Sequence, residues 1–151
     1  MGGSKSPVFK YIKEKIARKL NHWKERLLSP IGKEVLLKLV AIAMPAYAMN
    51  CCKLPKGLCR EISSGMAKFW WGEGDKSRKV HWVSWGKLSE VKGKGGLGFR
   101  DIESFNNVML AKQLWRIMSQ PNLLVSRILK SKYYKGKSLW EMKPKPSDSW
   151  M

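Results

Sequence analysis

The chain has 151 residues, 44% of them hydrophobic, which is enough to bury the core of one globular domain and argues against a disordered protein. Thirty Lys and Arg residues against eleven Asp and Glu give a formal net charge of +19. Residues 1–28, 29–65, 66–100 and 101–151 are each net positive, so the charge belongs to the whole body. It predicts a polyanionic partner, nucleic acid before an anionic membrane.

Three Cys residues form no paired framework and indicate a reducing, intracellular location of unknown compartment. The most apolar run, residues 35–49, contains Lys38 and Pro45 and falls short of the roughly 20 residues of a membrane span. The start, Met1 to Ser6, matches the Met-Gly-x-x-x-Ser pattern of N-myristoylation and precedes a basic helix. A myristoylated basic protein of the membrane surface is therefore one alternative function.

The first predicted helix spans residues 8–28. Its apolar residues recur at intervals of three or four, which places them on one face. They are Phe9, Ile12, Ile16, Leu20, Trp23 and Leu27. Basic residues occupy the remaining surface, and five of them are candidate nucleic-acid contacts: Lys10, Lys13, Arg18, Lys19 and Arg26. The ordinary alternative is the solvated face of a packed helix.

Ser29 and Pro30 predict the start of a second helix, with Ser29 as N-cap and Pro30 at the first helical position. Apolar residues nearly surround this helix, so we expect it to be central and buried. Its predicted inner face consists of Val35, Leu39, Ile42 and Ala46. Pro45 should kink or end it, because proline removes a backbone donor and clashes with the preceding turn.

A third helix is predicted from Pro55 to Gly72, followed by a joint over residues 72–100 that is rich in Trp, Gly and Lys. Residues 79–83 alternate enough for a short strand, but one strand alone is unstable, so we expect at most a β-hairpin or an extended segment. Core packing favours burial of three Trp residues: Trp70, Trp82 and Trp85. Two others are predicted to be exposed, Trp71 and Trp140, and Trp71 is a candidate base-stacking residue.

The glycines Gly93-x-Gly95-x-x-Gly98 have the spacing of a dinucleotide fingerprint. That fingerprint requires a preceding strand and an acidic residue about 20 positions later, and this sequence has neither. We interpret the glycines as a tight turn, and the basic residues beside them as further candidate contacts to a polyanion. These are Lys92, Lys94 and Arg100.

Asp101 predicts the N-cap of a fourth helix that ends near Gln120, and Pro121 begins a fifth that fades near residue 134. The predicted fold is thus mainly α, with about five helices in two small packed lobes, residues 8–71 and 101–134, on either side of the joint. The termini are expected to be a disordered segment, 1–7, and a loosely ordered, truncated tail, 135–151.

No constellation in the sequence predicts catalysis, a cofactor or a small-molecule substrate. The three Cys residues lack the short spacing of a zinc site, and His22 and His81 are isolated. Asp101 and Glu103 are more typical of helix-start charges than of a two-metal centre. We therefore expect neither a metal nor an enzymatic activity.

The sequence resembles a segment of plant non-LTR (LINE-type) retrotransposon reverse transcriptases and related plant mitochondrial open reading frames. The resemblance covers nearly the whole chain from about residue 8. It rests on Trp23-Lys24, Leu27-Leu28-Ser29, Gly32-Lys33, Pro45-x-Tyr47-x-Met49, residues 51–59, Phe69-Trp70-Trp71-Gly72, residues 79–88, Gly95-Gly96-Leu97-Gly98-Phe99-Arg100-Asp101, Phe105-Asn106 and residues 110–116.

This resemblance implies the thumb helices that follow the polymerase palm, which grip a template–primer duplex of RNA or RNA–DNA without sequence preference. It implies a nuclear or mitochondrial protein. The palm's Tyr-x-Asp-Asp motif is absent from this sequence, so the expected function is non-catalytic backbone binding. An inert retrotransposon relic without a biochemical role is the second alternative.

Overall fold

The computed structural model describes residues 6–24, 26, 28–72 and 80–134. The predicted tail with Trp140, the turn after Gly72 and the myristoylation pattern up to Lys5 lie outside these residues. Ser6 and Pro7, which we had assigned to a disordered segment, begin the first helix. Among the described residues, no helix combines the length and the apolar character needed to cross a membrane.

Seven α-helices and no β-strand occur in the described part of the chain, which confirms the mainly α prediction. They are α1 (Ser6–Lys24), α2 (Pro30–Leu36), α3 (Ala46–Cys51), α4 (Lys56–Trp71), α5 (Trp85–Ser89), α6 (Ile102–Ser119) and α7 (Leu124–Leu129). Two helices continue as π-helical turns, α2 through Leu37–Ala41 and α7 through Lys130–Tyr134. A 3-10 turn occupies Lys92–Lys94.

Helix α1 packs against α4, and the buried side of α1 is the apolar face that the sequence predicts. Ile12, Ile16 and Leu20 are buried there, and the rings of Trp23 and Phe69 lie 6.0 Å apart. Burial of each such side chain contributes about 1.5–3 kcal/mol. The basic surface of α1 is therefore held on the outside of a firmly packed helix pair.

The second predicted helix differs from expectation in its inner face. Val35 and Leu39 are 46% and 68% exposed, whereas Leu37 and Ala41 are fully buried. Leu37 and Ala41 lie about 200° around the helix from Val35 and Leu39, so the helix buries the side opposite to the predicted one. In the π-helical turn Ile42 N donates to Leu37 O at 3.2 Å, and this i→i+5 bond brings Ile42, which is buried as predicted, onto the same side as Leu37.

Pro45 is buried and separates this helical segment from α3, so the helix is interrupted there, as the sequence predicted. Helix α3 then packs against α6, and α4 packs against α2, α5 and α6. The hydrophobic core is continuous from Ile12 on α1 to Ile102 on α6. The helices that we assigned to two lobes thus contact one another directly.

Asn106 fixes this contact between α6 and the segment joining α3 to α4. Its side chain is 1% exposed; Oδ1 accepts from Leu54 N at 2.8 Å, and Nδ2 donates to Met49 O at 3.0 Å and to Cys52 O at 3.1 Å. The amide therefore satisfies the backbone groups that the end of α3 and the break before α4 leave open.

Candidate nucleic-acid interface

The glycine-rich part of the joint folds back onto α5. Leu97 N donates to Leu88 O at 2.9 Å and Gly98 N donates to Glu90 O at 2.8 Å. Gly95 and Gly98 have φ of 82° and 70°, a conformation that L side chains rarely adopt. At Gly96 an added Cβ would overlap the carbonyl group of Glu90. These glycines therefore allow two backbone segments to approach each other closely. They form the tight turn that we predicted in preference to a nucleotide-binding site.

A network of charges closes this turn against α2. Lys38 Nζ lies 2.7 Å from Glu34 Oε1 and donates to Leu97 O at 2.6 Å, and Lys92 Nζ lies 3.0 Å from the same Glu34 oxygen. Hydrogen bonds from Lys38 and Lys92 lower the pKa of Glu34 below its ordinary value. Lys92, a predicted nucleic-acid contact, is thus already paired with an acid.

The aromatic rings of the joint mostly pack on protein. Phe99 is sandwiched, with Trp85 stacked at 4.9 Å and Trp70 edge-on at 5.4 Å. Trp71 is half-buried and stacks on His81 at 6.0 Å, so the prediction that it is exposed is wrong, and one ring face is taken. Trp82 is 81% exposed rather than buried, because residues 80–83 form no strand and bend away before α5.

The predicted bases of α1 divide into two groups. Lys10 lies 4.0 Å from Glu14, and Lys13 lies 3.0 Å from Glu61 on α4. Both pairs are solvent-exposed and contribute little to stability, but they neutralise these two lysines locally.

The second group, Arg18, Lys19 and Arg26, belongs to an exposed strip along the opposite side of α1. Within α1 this strip consists of Tyr11, Lys15, Arg18, Lys19 and His22, and we refer to it as the α1 ridge. Within the described residues, Arg18 and Lys19 have no acidic partner, and Lys15 Nζ sits 5.6 Å above the Tyr11 ring. Arg26, just beyond α1, contacts His22 at 3.3 Å between Arg26 Nη2 and His22 Nε2 and extends the ridge.

Around the joint, the remaining predicted bases, Lys94 and Arg100, form no ion pair with an acid among the described residues. Lys94 is exposed, and its carbonyl oxygen lies 3.4 Å from Lys87 Nζ, which also pairs with Glu90 at 2.8 Å. Arg100 is exposed, with its guanidinium 4.6 Å from the Phe105 ring centre. Both remain candidate contacts, and the α1 ridge differs from them because it places several bases without acidic partners along one helix.

Sequence reasoning missed one exposed surface, on α6. Trp115 is 70% exposed there, and Val108, Lys112, Arg116 and Ser119 are exposed around it. We refer to these five residues as the α6 surface. The sequence carried a signal for it: Trp115 lies on the opposite side of a helix from Ile102, and no acidic residue occurs between Glu103 and Glu141.

In the part of the chain that the structure describes, no three His, Cys, Asp or Glu side chains lie close enough to hold a metal ion. Cys59 is buried, and that burial raises the pKa of its thiol. A raised thiol pKa disfavours the thiolate that nucleophilic chemistry needs.

Two proteins of Arabidopsis thaliana are similar to the chain. The uncharacterized mitochondrial protein AtMg00310 is 46% identical over 112 residues, which cover 72% of this chain and 73% of that protein. The putative ribonuclease H protein At1g65750 is 32% identical over 146 residues, which cover 95% of this chain but 23% of that protein. No family model matches the sequence, and no solved structure matches it. The chain belongs to the same family as the uncharacterized mitochondrial protein AtMg00310 of Arabidopsis thaliana.

Proposed function

We propose that this chain is a non-catalytic, nucleic-acid-binding segment of retrotransposon reverse-transcriptase descent, and that it grips the backbone of an RNA or RNA–DNA duplex. The observation that carries the proposal is the α1 ridge, where Arg18 and Lys19 are exposed and have no acidic partner within the described chain. The name of one relative, a putative ribonuclease H protein, supports a nucleic-acid partner.

The physical argument starts from counterions. A duplex binds condensed cations along its phosphates, and each phosphate that a Lys or Arg neutralises releases them, which drives association. The α1 ridge offers several cations along one helix, and the net charge of +19 steers a polyanion toward it. Contacts to phosphates position a duplex but carry no sequence information, so the binding should be sequence-nonspecific.

The carboxylates support a binding role and not a catalytic one. Glu34, Glu61, Glu90 and Glu103 each pair with a lysine. Two-metal polymerase and nuclease chemistry needs carboxylates that converge on the ions and are free to bind them. We therefore propose that polymerase activity, in any longer relative, belongs to residues outside this segment.

The test is a salt titration of duplex binding, by fluorescence anisotropy with a labelled RNA–DNA duplex. The logarithm of affinity should fall linearly with the logarithm of salt concentration. The double variant R18A–K19A should flatten that slope by about 2, since each lost phosphate contact removes about 0.9. The matched variant K10A–K13A, in which both lysines already face acids, should change the slope by about half as much or less.

An affinity that does not change between low and moderate salt would contradict the proposal. Equal effects of the two double variants would contradict the assignment of the contact to the α1 ridge. Absence of any binding would favour the alternative of an inert relic.

A further inference from the structure

The α6 surface has a composition that the α1 ridge lacks, because an indole stands exposed among bases. Trp115 is 70% exposed although tryptophan is normally among the most buried residues. Lys112 precedes it by three positions and therefore lies next to the ring on the same face of the helix, and Arg116 lies four positions after Lys112 and next to it. Neither base pairs with an acid among the described residues.

The charge around this indole has one sign only. From Ser104 to Lys132 the chain carries no Asp or Glu, and it carries five bases, Lys112, Arg116, Arg127, Lys130 and Lys132. A protein partner could satisfy an exposed Trp through apolar contact alone. The exclusively basic charge next to the ring instead selects an anionic partner that also offers flat, apolar faces.

We propose that the α6 surface binds an unpaired nucleotide segment, with a base stacked on the Trp115 ring and the adjacent phosphates held by Lys112 and Arg116. Every nucleobase has a π-face, so stacking on an indole tolerates any sequence. In a duplex the bases are stacked on each other and cannot reach this ring. The site rests on the proposed function and extends it, since it gives the protein a contact for the single strand that continues beyond a duplex.

The experiment compares two probes, a fluorescein-labelled oligouridine of twelve nucleotides and the RNA–DNA duplex used for the α1 ridge. Trp115→Ala should weaken oligouridine binding by about 5-fold to 100-fold, the usual range for loss of one stacked base, and should change duplex binding by less than about 2-fold. Trp115→Phe should restore part of the lost affinity, because it returns an aromatic face.

The chain offers a matched control in Tyr47 on α3. Its ring is 84% exposed, and no charged residue occurs between Lys38 and Lys53, so it is an exposed aromatic residue without flanking bases. Tyr47→Ala should leave oligouridine binding unchanged. A loss equal to that of Trp115→Ala would overturn the proposal, because it would show a general effect of removing exposed rings.

Each of the other possible results with Trp115→Ala would overturn the proposal. Unchanged oligouridine binding in Trp115→Ala would overturn the proposal, while a salt-dependent duplex affinity in the same protein would leave the α1 ridge standing. The Trp115→Ala variant could instead bind oligouridine normally and lose binding to phosphatidylserine vesicles, which would assign the surface to a membrane. It could also bind oligouridine normally and lose self-association in sedimentation, which would assign the surface to a second copy of the chain. Either result would overturn the proposal.

Circular dichroism checks that the Trp115→Ala variant folds. If it does not, the double variant K112Q–R116Q gives an independent readout. It should reduce the salt slope for oligouridine by about 1.4, from about 0.7 per phosphate contact. An unchanged slope would contradict the proposal.

Discussion

Gly96 lies against the backbone carbonyl group of Glu90 with no room for a side chain between them. The contact holds the glycine-rich turn on α5, and the two adjacent hydrogen bonds from Leu97 and Gly98 depend on it. The obstacle is backbone, which cannot rotate away as the end of a side chain can. The size of residue 96 is therefore fixed by packing and not by a ligand.

We expect Gly96→Ala to destabilise the protein by about 2–4 kcal/mol, since the added methyl must push α5 and the turn apart. The measurement is the free energy of unfolding in urea. Gly93→Ala is the matched control, because a Cβ at Gly93 meets nothing within 4 Å, and its stability should stay within about 0.5 kcal/mol of the parent. Similar losses in both variants would show that glycine flexibility and not the close approach matters here.

Asn106→Ala should lower the free energy of unfolding by about 2–4 kcal/mol, because it removes the side-chain hydrogen bonds to Leu54 N–H and to the carbonyl groups of Met49 and Cys52. Asn107→Ala, on the exposed side of the same helix, supplies the control and should have little effect. Hydrogen exchange at the Leu54 amide reports the lost bond directly. An amide that stays protected in Asn106→Ala would contradict the assignment.

The acid stability of the protein should depend on Glu34. Its pKa in the folded chain lies below the ordinary value of 4.5, so the carboxylate stabilises the fold above that pH and loses its contribution as pH falls through the folded-state pKa. Glu34→Gln should therefore lower stability at pH 7 by about 1 kcal/mol and flatten the decline that begins near pH 5.

Thermal melts of Glu34→Gln and the parent from pH 7 to pH 3 make this comparison. Parallel curves over the whole range would show that Glu34 does not couple proton binding to folding. Glu14→Gln is the control at pH 7, because its pair with Lys10 is long and solvent-exposed, and it should leave stability there unchanged.

Two of the cysteines, Cys51 and Cys59, should react with iodoacetamide in a fixed order. Cys51 is exposed and should be alkylated in the native protein, whereas Cys59 is buried with a raised pKa and should react only after unfolding. Mass spectrometry of tryptic peptides, taken with and without urea, reads out the order. Native labelling of Cys59 at the rate of Cys51 would contradict the burial of this thiol in the hydrophobic core.

The local signals predicted most of the helices. Apolar spacing located α1 and α4, and capping residues located three helix boundaries. Ser29 Oγ accepts from Gly32 N, Asp101 Oδ2 accepts from Ser104 N, and Gly72 ends α4 at φ 68°. These features depend on residues within four positions of each other, which is the range that a sequence pattern reports.

What the sequence did not predict depends on contacts between distant residues. Leu37 and Ala41 are as apolar as Val35 and Leu39, so the sequence did not reveal which side of this helix the other helices cover, and Val35 and Leu39 were placed on the wrong face. Lys13 pairs with Glu61, which lies 48 positions away in the sequence. Composition alone therefore could not distinguish a lysine that pairs with an acid from Arg18, which has no acidic partner among the described residues. Trp82 looked like part of a strand because alternation does not reveal whether a partner strand exists.

Asn106 is also synthesised later than the backbone groups to which its side chain bonds. It is 54 residues downstream of Cys52, whose carbonyl group it satisfies. At roughly 5–20 residues per second, a ribosome needs about 3–11 seconds to add that length of chain. During that interval the amide group of Asn106 does not yet exist, so the contact between α6 and the segment that joins α3 to α4 forms only after α6 has begun to be synthesised.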